Sequence, residues 1–304
     1  MNRFRISTPE GTRDLLFSSC RALRQTENAV REALEERGYS EIITPAVEYF
    51  DVFAQANPEL DQDQMLKIID KSGRICVARP DNTTPIARIA ATRLDDAALP
   101  VRLYYSQKVF RSVSGDHGHK GEFLQVGAEL IGVDCVHADA EIVLLAAEAL
   151  RTAGVDSFVV DLNLPTLMPA LQKAFDIDGG EAEALTDLLN QKDFAAADSL
   201  LKSMGKAARA AEPLFAALFD AFGQSDRVLN VLKSLDLPEE AAAERARLIA
   251  VADLIKREAP ELDLTVDVLE NRGFEYHCGV CFSIFGEKGG RELGRGGRYI
   301  AGTD

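Results

Sequence analysis

Three short stretches put polar side chains where strands usually carry apolar ones. In FLQVGAELI, Phe123 to Ile131, period-two alternation sets Phe123, Gln125, Gly127, Glu129 and Ile131 on one face of a strand. Leu124, Val126, Ala128 and Leu130 take the other face, which reads as core. A carboxylate on a covered sheet face is costly unless a cation meets it. That cation is either an internal Arg or Lys, or the ammonium or imidazolium of a bound molecule. Gly127 has no side chain, so a hollow is expected between the Gln125 amide and the Glu129 carboxylate.

The second stretch is RPDNTTP, Arg79 to Pro85, which ends an apolar run. It has two readings. Asn82 or Thr83 can cap a helix by accepting first-turn amides, or Asp81 and Thr83 stand beside the hollow and accept bonds from an ammonium. The third is NRGFEYHCGVCFSIF, Asn271 to Phe285, which also alternates. Tyr276, Cys278, Val280 and Phe282 face one side; His277, Gly279, Cys281 and Ser283 face the other. Such a small, polar face lets something approach closely. His277 is either a ligand contact or a satisfied structural histidine. HCGVC lacks the order for haem attachment and the second pair that a zinc site needs, so no metal is expected there.

Composition narrows the classes. At 304 residues, 46% hydrophobic and 27% charged, the chain is an ordinary globular one. It has no apolar run of about 18 residues, so no membrane span is expected. MNRFRISTPEGTRD has no apolar secretory core, and five cysteines without a spacing framework suit a reducing cytoplasm. A net charge of −15 with no Lys/Arg cluster disfavours nucleic acid as a partner.

The elements that must position these residues follow from periodicity. Residues 17–37 read as a helix with Cys20, Leu23, Val30 and Leu34 near one face and Gly38 as its stop. Ile42 and Ile43 suggest a strand bent or ended at Pro45. A strand over Ile75–Ala78 leads into a helix from Thr84 to Leu94, with Pro85 in its first turn. Strands over 101–111 and 122–132 make a hairpin, and a helix over 137–153 precedes a strand at Phe158–Leu162. From about Pro165 to Glu261, alanine, leucine and charged residues dominate in short helical patterns. Strand character returns at Leu264–Leu269 and Tyr276–Phe285. The fold class read from this order is α+β, a mainly antiparallel sheet flanked by helices. Residues 1–164 and 262–304 form the core and 165–261 a helical insertion.

Taken together, PEGTRDLL, the Pro45 segment, RPDNT, the FR…F.Q.G.E hairpin, RGFEY and GRGGRY resemble, in that order, the catalytic core of histidyl-tRNA synthetase, a class II synthetase. The resemblance covers most of the chain outside the helical block. It implies a class II antiparallel sheet, a dimer-forming segment at Pro45 and a pocket for histidine. Asp81 and Thr83 match the positions that contact the histidine ammonium. Arg111, Gln125 and Glu129 match the hairpin contacts, with Arg111 on the carboxylate and Glu129 deeper. Arg272 and Tyr276 match the strand beside the ligand, with His277 in place of a second tyrosine.

The nucleotide half departs from the synthetase pattern. The glutamate that reads adenine is Val113, two loop arginines are His119 and Gly121, and a strand arginine is Gly279. A third motif and an anticodon-binding domain would follow GRGGRY, but the sequence stops at Asp304. Fixed cations of this kind are each worth about 3 kcal/mol in the transition state, so adenylation is not expected. An amino-acid pocket kept while ATP contacts are lost resembles the ATP phosphoribosyltransferase regulatory subunit family. Members of that family continue past GGRY with a final strand and helix. The resemblance implies no catalytic residue and no cofactor, and a homodimer within a cytoplasmic hetero-oligomer. Its partner would be the short catalytic subunit of the first step of histidine biosynthesis, with histidine as feedback inhibitor. Two alternatives are a truncated synthetase-like adenylating enzyme, which Val113 and Gly121 oppose, and a nucleic-acid-binding module, which the acidic charge opposes.

Overall fold

The computed structural model describes residues 8–56, 62–94, 96–112, 121–270, 276–286 and 290–300. They fall in two compact units. The first holds residues up to Val133 with Glu148–Gly154; the second holds Asp134–Ala147 with Val155–Ile300.

In the first unit, helix α1 (Phe17–Glu36) ends where Gly38, at φ 82°, donates to the Glu35 carbonyl. The amide of Tyr39 then closes on Leu34, a stop only a glycine turn makes cheaply. Its buried side chains are Glu27, Val30 and Leu34, whereas Cys20 is exposed. Strand β1 (Ser40–Glu41) stops short of Pro45, although the Ile42 amide still reaches the Tyr104 carbonyl. Then follow β2 (Val47–Tyr49), α2 (Phe50–Ala56), β3 (Leu66–Ile69) and β4 (Ile75–Ala78). They make a three-stranded antiparallel sheet, β2-β4-β3, whose Val77 side packs on Phe53. Helix α3 spans Thr83–Arg93 and leads to the hairpin β5 (Val101–Phe110) and β6 (Glu122–Ile131). The hairpin pairs in full register, Phe110 with Glu122 through Val101 with Ile131, and β1 joins β5 in parallel.

The face of β6 expected to be core is only partly covered: Val126 is exposed and Leu124, Ala128 and Leu130 are half-buried. On that face α1 makes polar contacts. Buried Glu27 accepts from Ser106 Oγ at 2.8 Å, and Tyr104 donates to Glu35 at 2.5 Å.

Helix α4 (Val136–Thr152) runs through the division between the units. In the second unit β7 (Phe158–Asn163) lies at the centre of a five-stranded sheet. Seven helices follow: α5 (Leu167–Ala174), α6 (Gly179–Asn190), α7 (Phe194–Ser203), α8 (Lys206–Ala210), α9 (Glu212–Phe219), α10 (Ser225–Ser234) and α11 (Glu239–Glu258). Strand β8 (Phe222–Gln224) interrupts them, and β9 (Asp263–Asp267), β10 (His277–Gly286) and β11 (Glu292–Tyr299) complete the sheet, in the order β11-β10-β7-β9-β8. Only β7 and β9 pair in parallel there. Parallel neighbours need a crossover, and the helical block is that crossover. Val160, Leu162, Leu264, Val266, Phe282 and Ile284 bury one face of the sheet, and α11 buries Leu248, Val251 and Ile255. The fold class stands as read from the sequence; the strands divide over three sheets, and one of them, β8, lies inside the stretch read as helical.

Candidate functional site

The end of β4, the start of α3 and the middle of β6 converge on one polar cluster in the first unit. Asp81 Oδ1 accepts the Thr83 amide at 2.6 Å and Oδ2 accepts Gln125 Nε2 at 2.8 Å. Gln125 Oε1 in turn accepts the Asn82 amide at 3.2 Å and Asn82 Nδ2 at 2.8 Å. The capping expectation is corrected here. Asp81, not Asn82 or Thr83, takes the first-turn amide, and Asn82 makes no cap bond. A carboxylate has about four acceptor positions, so Asp81 retains capacity for a cationic ligand. Glu129 lies four residues beyond Gln125 on the same β6 face and is 8% exposed.

Arg111 leaves the end of β5, donates Nε to the Pro80 carbonyl at 3.1 Å and sets its guanidinium over the Phe123 ring at 5.3 Å. Two bonds hold the base of the hairpin to the N-terminal PEGT stretch: the Gly121 and Glu122 amides both donate to the Gly11 carbonyl, at 2.9 and 3.2 Å.

The expected hollow over Gly127 is filled. Gly127 pairs directly with Tyr105, and a Cβ on Gly127 would clash with the Tyr105 hydroxyl and ring. The glycine is required because the buried phenol of Tyr105 lies across it, on the face that carries Gln125 and Glu129. Tyr105 and Asn82 are site residues that the sequence reading missed. Register alone would have found Tyr105, because opposed residues on paired strands share a face.

Tyr276 and His277 belong to the second unit. Their rings lie 4.0 Å apart and tilted by 35°, and Tyr299 meets Tyr276 edge-on at 6.3 Å. The close approach expected on the His277–Gly279–Cys281 face is made by β11. A Cβ on Gly297 would clash with Cys281 Sγ and fall 2.6 Å from His277 Cδ2. Burial pushes the Cys281 thiol up, well away from thiolate chemistry. Among the described residues no group of His, Cys, Asp and Glu could hold a metal ion.

The structure also accounts for the space at Gly279. A Cβ there would meet Arg298 Cδ at 3.5 Å and Nε at 3.9 Å, so the Arg298 side chain lies over the glycine. Arg298 is committed to Asp139 and to Asp134, the latter at 3.3 Å. Arg247 closes the cluster on the same pair, at 2.7 Å to Asp134 and 2.8 Å to Asp139. The Arg247 hydrogen bond holds the Asp134 carboxyl below its usual range. Two guanidinium groups therefore face two carboxylates, with no surplus of positive charge for a phosphate. Arg272, Val113 and His119 lie outside the described residues.

A class II synthetase-like protein is what this fold defines, and comparison with known proteins agrees. The model of the histidyl-tRNA synthetase family matches residues 11–303. A regulatory subunit/histidyl-tRNA synthetase from Bacillus halodurans is 28% identical, with a TM-score of 0.87 over 98% of this chain and 77% of that one. ATP phosphoribosyltransferase regulatory subunits from Paramagnetospirillum magneticum and Rhodospirillum rubrum are 39% and 40% identical. The matches cover 98% and 97% of this chain and 77% and 75% of theirs. The chain belongs to the ATP phosphoribosyltransferase regulatory subunit family. A complex of that transferase from Thermotoga maritima shares the fold, at 17% identity and a TM-score of 0.69 over 90% of this chain and 91% of that one.

Proposed function

We propose that the chain is a regulatory subunit of ATP phosphoribosyltransferase without catalytic activity of its own. It acts in the first step of histidine biosynthesis, in the cytoplasm, by activating a short catalytic subunit and conveying feedback inhibition by histidine. One observation carries this reading. The Asp81–Gln125 pair is intact beside buried Glu129, while Gly279 holds no cation and the arginine over it is bound to aspartates. Histidine is zwitterionic: Asp81 and Thr83 would take its ammonium and Arg111 its carboxylate. Residues 165–261 act as a helical insertion in a core formed by 1–164 and 262–304.

A second copy of the chain is the expected neighbour of the β2-β4-β3 sheet. Val47, Tyr49, Leu66 and Ile68 lie on one side of it, each more than 40% exposed. A contiguous apolar sheet face of this kind is normally covered. No helix of the described residues is long and apolar enough to cross a membrane.

Pure protein should show no histidine-dependent exchange between pyrophosphate and ATP. Exchange at the rate of a working synthetase would refute the non-catalytic reading, because it requires the phosphate contacts that Gly121 and Gly279 cannot supply.

A further inference from the structure

Asn82 is fully buried beside Gln125 and Asp81. Its backbone N–H can only donate, so the oxygen of the Gln125 amide must face Asn82. The Gln125 nitrogen is thereby turned onto Asp81 Oδ2. Because Gln125 presents its oxygen, Asn82 must present its own nitrogen to it. Asn82 Oδ1 is left buried, with no partner among the described residues, one amide width from the bond to Gln125. An asparagine at this position, just before α3, would ordinarily bond the first-turn amides, and Asn82 forgoes that bond.

A buried amide oxygen without a donor is costly, and native proteins rarely leave one so. It is understandable where a ligand supplies the donor. We infer that Asn82 is a positioning and ligand-reading residue of the amino-acid pocket. It locks Gln125 with its nitrogen on Asp81, and its Oδ1 accepts an N–H from the ammonium of the bound amino acid. This rests on the histidine-pocket reading above. It adds a third acceptor to Asp81 and Thr83, one that distinguishes an amino acid from the same acid without its amine.

The test is calorimetric titration of the full chain with L-histidine and with imidazolepropionate, which lacks the ammonium. Asn82→Ala should weaken L-histidine by about tenfold and leave imidazolepropionate within about twofold, because only the former loses a charge-assisted bond. Asn82→Gly keeps the backbone N–H bond to Gln125 and should behave alike; it replaces the alanine variant if that one does not fold. Equal losses for both ligands, or none, would overturn the role of Asn82 while leaving the histidine pocket standing. A wild-type chain that binds neither ligand would overturn the pocket itself, and this inference with it.

Discussion

Arg79→Ala is expected to lower the stability of the protein by about 3–4 kcal/mol, several times the effect of an ordinary surface substitution. Arg79 is 5% exposed. Its Nε donates to the Lys108 carbonyl at 2.9 Å, and its Nη1 donates to Thr44 O at 2.7 Å, Thr44 Oγ1 at 3.1 Å and Pro45 O at 3.2 Å. None of these acceptors is a carboxylate, and burial pulls the guanidinium pKa down from its usual value. The charge is retained because the fork fits acceptors on two separate segments at once. Truncation would leave buried carbonyls on both, and each such loss costs about 1–3 kcal/mol. Lysine, a point charge without the fork, should rescue little. The same arginine closes β4 just before Pro80 and Asp81, so its loss should loosen the ligand cluster too. Chemical denaturation of wild type, Arg79→Ala and Arg79→Lys measures this. A loss below about 1 kcal/mol in Arg79→Ala would show that the Thr44–Pro45 segment is held by other contacts.

Glu129→Ala is expected to weaken histidine binding by about 1.5–3 kcal/mol, the range of a hydrogen bond to a charged group. Glu129 is buried on the face that carries Gln125 and the Tyr105 phenol, and histidine brings a cation to that face. Sensitivity of the reconstituted transferase to histidine should fall by a comparable factor, because coupling between two binding sites is reciprocal. Activation without histidine should persist, since it depends on the surface shared with the partner. Glu129→Gln, which keeps the shape, separates charge from packing. Unchanged histidine affinity in a folded Glu129→Ala protein would make the pocket a relic without a ligand.

Legibility from sequence followed the range of the interactions. Helix α1, its glycine stop and the β5-β6 hairpin were readable because periodicity and turn chemistry are local. Strands β2, β3, β8 and β11 were not read. The first two have only three and four residues, and GRGGRY in β11 has no apolar alternation; each is a strand because a better-marked strand, β4, β9 or β10, pairs with it. The polar face of β6 was visible as Gln125 and Glu129, but its link to Asp81 spans 44 residues and rested on the family resemblance. The misreading at Gly127 shows why. A missing side chain reads as space until register reveals which opposed residue fills it, here Tyr105. Arg298 went unread for a similar reason, since its partners Asp134 and Asp139 lie far away in sequence.

The central claim is that this chain completes another enzyme rather than catalysing a reaction. Its most direct test is the rate of ATP phosphoribosylation by a short catalytic subunit with increasing amounts of the purified chain, with and without histidine. The account predicts a saturable rise in rate at a fixed subunit ratio, reversed by histidine, and no turnover by the chain alone. An unchanged rate at saturating amounts of correctly folded chain would contradict it.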